Sequence, residues 1–319
     1  VRFSRSAFLA TLPVALAVTR MRALADTTLE PLNIGTFAGD IGGQPYYAKD
    51  MGFFAKAGID PTVVPFQNGA LMASAIIGGS LDVGWANTIA LSTAYQRGIS
   101  FTILAPANMH VATFPTAGIL TVMRGSSIHD AKDLAGKTIA VGGLNQIADT
   151  STKAWIDKNG GTSATARFVE MPVSAMPAAL QTGHIDVAVL DAATYTSEGQ
   201  PGDPYRTIGS AFDGIGSHFA ASVWFSSSAW VAKHPELAAT FSRVMQETAR
   251  WANVHHRESA EILAKYTGDS AAKIEAVRRV IYGEHITNAL VQPEIDVAAK
   301  YGLIKTAIPA SAIISPMAR

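Results

Sequence analysis

AIIGGSLDVGWAN (residues 75–87) and ALQTGHIDVAVLD (residues 179–191) align without a gap, and their shared pattern sets how the rest of the chain is divided. Each starts as the end of an apolar-periodic helix and reaches a glycine able to take positive φ. Each then passes through one polar residue into an apolar residue, Asp and Val at the head of a short buried strand. Asp82 and Asp186 thus occupy equivalent places, as do Asn87 and Asp191 at the C-terminal ends of the two strands. In open α/β sheets, ligands collect at that end. The bland reading of Asp82 and Asp186 is that they bond backbone groups at the strand entry.

Outward from this echo, strand and helix patterns alternate twice. The first run holds LNIGTF (32–37), PYYAKDMGFFAKAG (45–58), PTVVPF (61–66) and the segment 70–87; the second holds KTIAVGG (137–143), TSTKAWIDKNGG (150–161), ARFVEMP (166–172) and 174–191. Such alternation predicts βαβ units, hence an α/β fold with two lobes, each a mostly parallel sheet flanked by helices. From Pro235 onward the pattern is helical only. The apolar extended stretches 101–125 and 218–236 are the expected crossovers, near Thr121 and Val223. The first lobe is then discontinuous, 26–120 with 224–319, and the second spans 121–223. Within IGGQPYYAKDMGFFAKAGID (41–60), Gly42-Gly43 reads as a loop, Pro45 as a first-turn residue and Gly58 as a stop, which predicts one helix over 44–57.

Composition excludes several classes. The 25 basic and 25 acidic residues balance, so nothing favours nucleic acid. With no cysteine there is no disulfide, thiolate metal site or cysteine nucleophile. Arg2 and Arg5 precede AFLATLPVALAV, too short to span a bilayer, and Ala23-Leu24-Ala25 fits a cleavage site. A signal peptide over 1–25 is expected, with Ser6 departing from the twin-arginine pattern; Pro13 argues against an amphipathic helix there. Its removal takes four arginines and no acid, leaving four more acidic than basic residues.

In this order, PYYAKDMGFFAKAGI, FQNGAL, AIIGGSLDVGWAN, SSIHDAKDLAGKTIAV, AALQTGHIDVAVLD and WVAKHPELAATF resemble the periplasmic substrate-binding proteins of ABC importers. The similar branch binds nitrate, taurine, aliphatic sulfonates or thiamine-precursor pyrimidines. The resemblance implies a type II periplasmic-binding fold whose two lobes close on a two-stranded hinge over a small-molecule solute. It also implies a periplasmic monomer that docks on a membrane permease and its ATPase, with no catalytic residue, metal or cofactor. The cleft is then lined by helix N-termini and rings, which makes Phe37, Gln44, Tyr46, Asn68, Trp85, Asn87 and Thr88 the first lobe's candidates. In the second lobe they are Asn145, Asp149, Asp191 and Tyr195. Asn68, Thr88 and Asp149 also suit plain capping, Trp85 and Tyr47 plain packing.

These stretches hold no lysine or arginine but do hold Asp40, Asp149 and Asp191, while Trp85, Tyr46 and Tyr195 offer rings. A buried carboxylate facing an anion is costly. That inventory favours a pyrimidine-like heterocycle slightly over a sulfonate- or nitrate-type anion, with His110 and His218 near the crossovers as a possible counterweight. The main rival is an enzyme on the same fold acting on a small heterocycle, as in the fungal pyrimidine synthase, whose cysteine-rich motif is absent here. Neither a Gly-x-Ser-x-Gly elbow nor a P-loop nor His-Glu-x-x-His occurs, and no DNA-binding domain is appended.

Overall fold

The computed structural model describes residues 29–67, 69–195 and 202–318, so the segment expected as a signal peptide and Asn68 lie outside the described residues. The first run comprises β1 (Glu30–Phe37), α1 (Gln44–Asp50), α2 (Phe53–Lys56), β2 (Ile59–Phe66), α3 (Gly69–Ile77), β3 (Gly84–Ala86), α4 (Thr88–Gln96) and β4 (Phe101–Pro106). Through β5 (Asn108–Val111) the chain enters the second run. This holds β6 (Ile119–Met123), β7 (Thr138–Val141), α5 (Ile147–Lys158), β8 (Arg167–Glu170), α6 (Met176–Gln181), β9 (Val187–Leu190) and β10 (Tyr205–Ser210). β11 (His218–Ala220) leads back to β12 (Val223–Ser227), α7 (Ser228–Lys233), α8 (Pro235–Ala252), α9 (His256–Thr267), α10 (Ala271–Ala276), β13 (Ile281–Tyr282) and α11 (Asn288–Lys300).

Two sheets share one architecture. The second is ordered β8-β7-β9-β6-β10, parallel between β8, β7 and β9 and antiparallel at β6 and β10. In the first, β2 and β1 pair in parallel, Ile34 bridges in parallel to Val83 beside β3, and β12 joins β3 and β4 antiparallel. Strand for strand the order and sense match, so each sheet is mixed. β7 and β9 are almost wholly buried, as parallel strands covered on both faces should be.

The echo recurs at the level of single bonds. Gly79 and Gly183 take positive φ, 75° and 72°. Asp82 N donates to Asn33 O at 2.9 Å and its carboxylate accepts from Asn33 N at 2.8 Å. Asp186 does the same with Thr138, at 2.9 and 2.8 Å. Both aspartates therefore clamp a strand to its parallel neighbour.

Between the sheets the chain passes twice, and the two passages pair as β5 and β11, with Phe219 opposite His110. Thr121 sits within β6, opposite Ala188 and Thr207, rather than in a connection, because ILTVM is buried as a central strand. β13 adds a third strand to the hinge sheet, pairing Ile281 with Met109, where only helices were expected. The six-residue α10 ends at Ala276, and the apolar, β-branched Val280 and Ile281 suit an extended partner.

The helix expected over 44–57 is broken: Gly52 takes φ 70° and separates α1 from α2. On α8, Leu237, Phe241, Val244, Met245 and Thr248 recur at helical spacing and are buried. Phe241 stacks on Phe54 and meets Trp224 edge-on, fixing α8 against the first sheet.

Candidate functional site

A cavity of about 690 Å³ opens between the two lobes. Its wall follows from the sheet topology, because the residues just beyond five parallel strands reach it. These are 38–41 after β1, Gln67 after β2, Gly142 after β7, 172–174 after β8 and 191–194 after β9. Phe37 supplies a ring, with its centroid 6.3 Å from that of Trp85. The remaining wall is Thr116 and Pro177 of the second run, Leu263 and Thr267 of α9, Asp269 before α10, Lys273 and Ile274 of α10, and Val277, Arg278 and Val280 before β13.

The charges on this wall are mostly engaged. Arg279 Nη2 donates to Asp40 Oδ1 at 2.6 Å, Val280 N donates to Asp40 Oδ2 at 2.9 Å, and Tyr282 OH donates to the Asp40 carbonyl. Arg279 Nη2 also donates to Tyr47 OH at 3.0 Å. Burial opposes the Arg279 charge, and the Asp40 carboxylate overrides it, so its pKa is raised; burial likewise raises the Tyr47 and Tyr282 hydroxyls. Lys273 Nζ meets Asp269 Oδ1 at 2.6 Å. Arg278 reaches the connection between β5 and β6, donating to Pro115 O at 2.9 Å with its guanidinium 5.4 Å from the Phe114 ring. Asp191 caps its own turn, Oδ1 accepting from Thr194 N at 2.7 Å.

Of the candidates named from the sequence, Phe37 and Asp191 line the cavity. Several others are placed elsewhere. Gln44 is fully buried, accepting from Trp224 Nε1 at 2.7 Å and donating to Met245 O, which pegs α1 to α8 and β12. Tyr46 stacks on Tyr266 at 4.3 Å inside the first lobe. Tyr195 is packed edge-on against Tyr205 and donates to Asp203, as second-lobe core. Asp149 is buried at the first turn of α5, bonding Asn145 N at 2.8 Å and Lys153 Nζ at 2.9 Å, while exposed Asn145 holds φ 57°. Trp85 is half-buried, its indole nitrogen without a partner. Asn87 caps α4 through Ala90 N at 2.9 Å and its amide lies 3.5 Å from Gln146 Oε1 of the other lobe. Thr88 is fully buried, with its N–H taken by Glu294.

Nor do Gly42 and Gly43 offer backbone to a ligand. A Cβ on Gly42 would stand 2.4 Å from Phe37 O, and one on Gly43 2.5 Å from Tyr47 OH. They let the chain double back on β1. Lys273, Arg278, Arg279 and Glu294 escaped the sequence reading because they belong to the C-terminal helical region, whose apolar spacing spells packing and whose return to the cleft no local motif announces. The cleft is thus not free of cations.

Among the described residues, no group of three or more His, Asp or Glu could hold a metal ion, and no helix is long and apolar enough to cross a membrane.

A family model described as NMT1/THI5-like matches residues 43–260. No curated protein matches the chain. Solved structures do. The periplasmic aliphatic sulphonate binding protein SsuA from Escherichia coli has a TM-score of 0.73 at 19% identity, covering 90% of this chain and 92% of that one. The alkanesulfonate-binding SsuA from Xanthomonas axonopodis pv. citri, bound to MOPS, gives 0.72 at 17%, covering 89% and 98%. The periplasmic nitrate-binding protein NrtA from Synechocystis PCC 6803 gives 0.72 at 14%, covering 89% and 85%. At these identities the likeness establishes a shared fold.

Proposed function

The chain belongs to the NMT1/THI5-like family, and from that premise we propose that it is the extracytoplasmic solute-binding component of an ABC importer. It captures a small organic solute between its lobes and presents it to a membrane permease. The observation that carries this reading is the cavity itself: strand C-termini from two sheets converge on one space, and the two passages between the sheets pair as β5 and β11.

Asp40 is neutralised by Arg279, and Arg278 joins the wall together with Lys273 and its partner Asp269. Tyr46 and Tyr195 drop out as ring partners, leaving Phe37 backed by Trp85. A pyrimidine-like heterocycle fits a ring on Phe37 with an amino edge on the Asp191 carboxylate. A sulfonate- or nitrate-type anion fits Lys273 and Arg278 instead, and the named relatives bind that class.

Calorimetric titration with aminopyrimidines, alkanesulfonates and nitrate tests both. Heterocycle binding weakened roughly tenfold by Asp191→Asn is the expected result, about 1.4 kcal/mol. Tight sulfonate binding that survives Asp191→Asn rejects the heterocycle. Mass spectrometry of the recovered solute should find it intact; turnover would instead reveal an enzyme.

A further inference from the structure

Every parallel strand but one sends its C-terminal residues to the cavity, and the exception is β3. The echo makes the comparison direct. Beyond β9, Asp191 accepts from Thr194 N, and residues 191–194 line the cavity. Beyond β3, Asn87 accepts from Ala90 N in the same way, yet Thr88 and Ile89 are buried and off the wall. The difference is Glu294. It projects from α11, fully buried, and its Oε2 accepts from Thr88 N at 2.6 Å and Ile89 N at 3.1 Å. With Asn87 on Ala90, the first-turn donors of the nine-residue α4 at positions 88, 89 and 90 are all consumed by side chains of this chain.

Those donors, with the positive end of the helix dipole, are what a free anion needs. Here the carboxyl of Glu294 occupies their place. Glu294 Oε1 and the Thr88 hydroxyl are buried beside one another next to these bonds, so the carboxyl sits in a polar pocket rather than against an apolar surface.

We propose that Glu294 is a specificity-determining residue: its carboxyl group closes the N-terminus of α4 to anions, so a solute is recognised by Phe37, the turn after β9 and the α10 wall. This rests on the chain being a solute binder, but the closure itself is measurable without knowing the solute. The carboxyl blocks the terminus whether or not it carries a proton, since both forms keep an accepting oxygen.

The test follows the amide resonances of Thr88 and Ile89 in the full chain, with methanesulfonate as probe. In the wild type, methanesulfonate up to about 50 mM leaves both unmoved, a range that reaches binding weaker than millimolar. In Glu294→Ala the probe shifts both amides, with affinity gained roughly tenfold or more. Alanine also leaves two buried donors unpaired, so Glu294→Gln, whose amide oxygen can replace Oε2, guards against an unfolded variant. Glu294→Gln, like the wild type, leaves both amides unmoved by methanesulfonate. Methanesulfonate shifting Thr88 and Ile89 in the wild type overturns the proposal, as does a folded Glu294→Ala in which the same concentration leaves both amides unmoved. If no solute of any class binds the wild type while Glu294→Ala captures methanesulfonate at α4, the transport reading fails and the closure stands.

Discussion

Glu294 shows how one side chain answers to several elements at once. Burial drives its carboxyl up to about 8, against the Ile89 and Thr88 N–H bonds that favour the ionised form. The sign follows from linkage: an acid whose folded pKa lies above its unfolded value holds its proton better in the native state. Its contribution is full below the ordinary value of 4.5 and is lost as pH rises through about 8. Wild-type stability relative to Glu294→Gln should therefore fall across that window, by up to about 1.4 kcal/mol per pH unit. Urea unfolding at the two ends of the window checks it, and a constant difference would contradict the buried acid.

Asp40→Asn leaves the Arg279 guanidinium buried with its partner charge removed, and side chains at such sites cost about 3–5 kcal/mol when broken singly. Denaturant unfolding should show that loss, and Asp40→Asn with Arg279→Met should recover part of it. Additive losses would mean that the two residues are not coupled.

Among the elements, the turn from β1 into α1 is set by close approach. Thr36 Oγ1 donates to Gly42 O at 2.6 Å, and there is no room for a Cβ between Gly42 and the Phe37 carbonyl. Gly42→Ala should cost about 1–3 kcal/mol, read as a drop of several degrees in Tm. An unchanged Tm would show that the turn yields. The break between α1 and α2 has an equally local cause, since the Gly52 conformation ends one helix and begins another facing a different part of the core. From the sequence, the same glycine reads as a tolerated interior residue.

For the whole molecule, the lobes touch through polar contacts and through an apolar seam in which Ala154 of α5 packs into the cluster of Ile295 and Ala298 on α11. Arg278 reaches Pro115, Asn87 faces Gln146, and Tyr301 OH donates to Asp157 Oδ2 at 2.7 Å, while α11 packs between α4 and α5. The polar contacts among these are cheap to break and remake, as a closing cleft requires. Arg278→Ala should let the walls part, raising the radius of gyration in solution scattering and weakening solute binding roughly tenfold. A variant identical to wild type in both would remove Arg278 from any part in closure.

Much was determined by the sequence alone. The gapless echo of residues 75–87 in 179–191 is local patterning, and local patterning is sufficient for strand entry, for the clamps of Asp82 and Asp186 and for the ends of β3 and β9. Phe37 and Asp191 could be named because both stand at strand C-termini, which any α/β topology exposes on one edge. Tertiary structure alone decided which polar groups share a space. Asp40 with Arg279 and Thr88 with Glu294 are more than 200 residues apart in the chain. The pairing of such groups, and hence the charge left facing the cleft, depends on how the C-terminal helices fold back, which no periodicity along the chain encodes. Tyr46 and Tyr195 make the same point from the other side: a tyrosine beside a loop is compatible with cleft or core, and only the neighbours Tyr266 and Tyr205 choose the core.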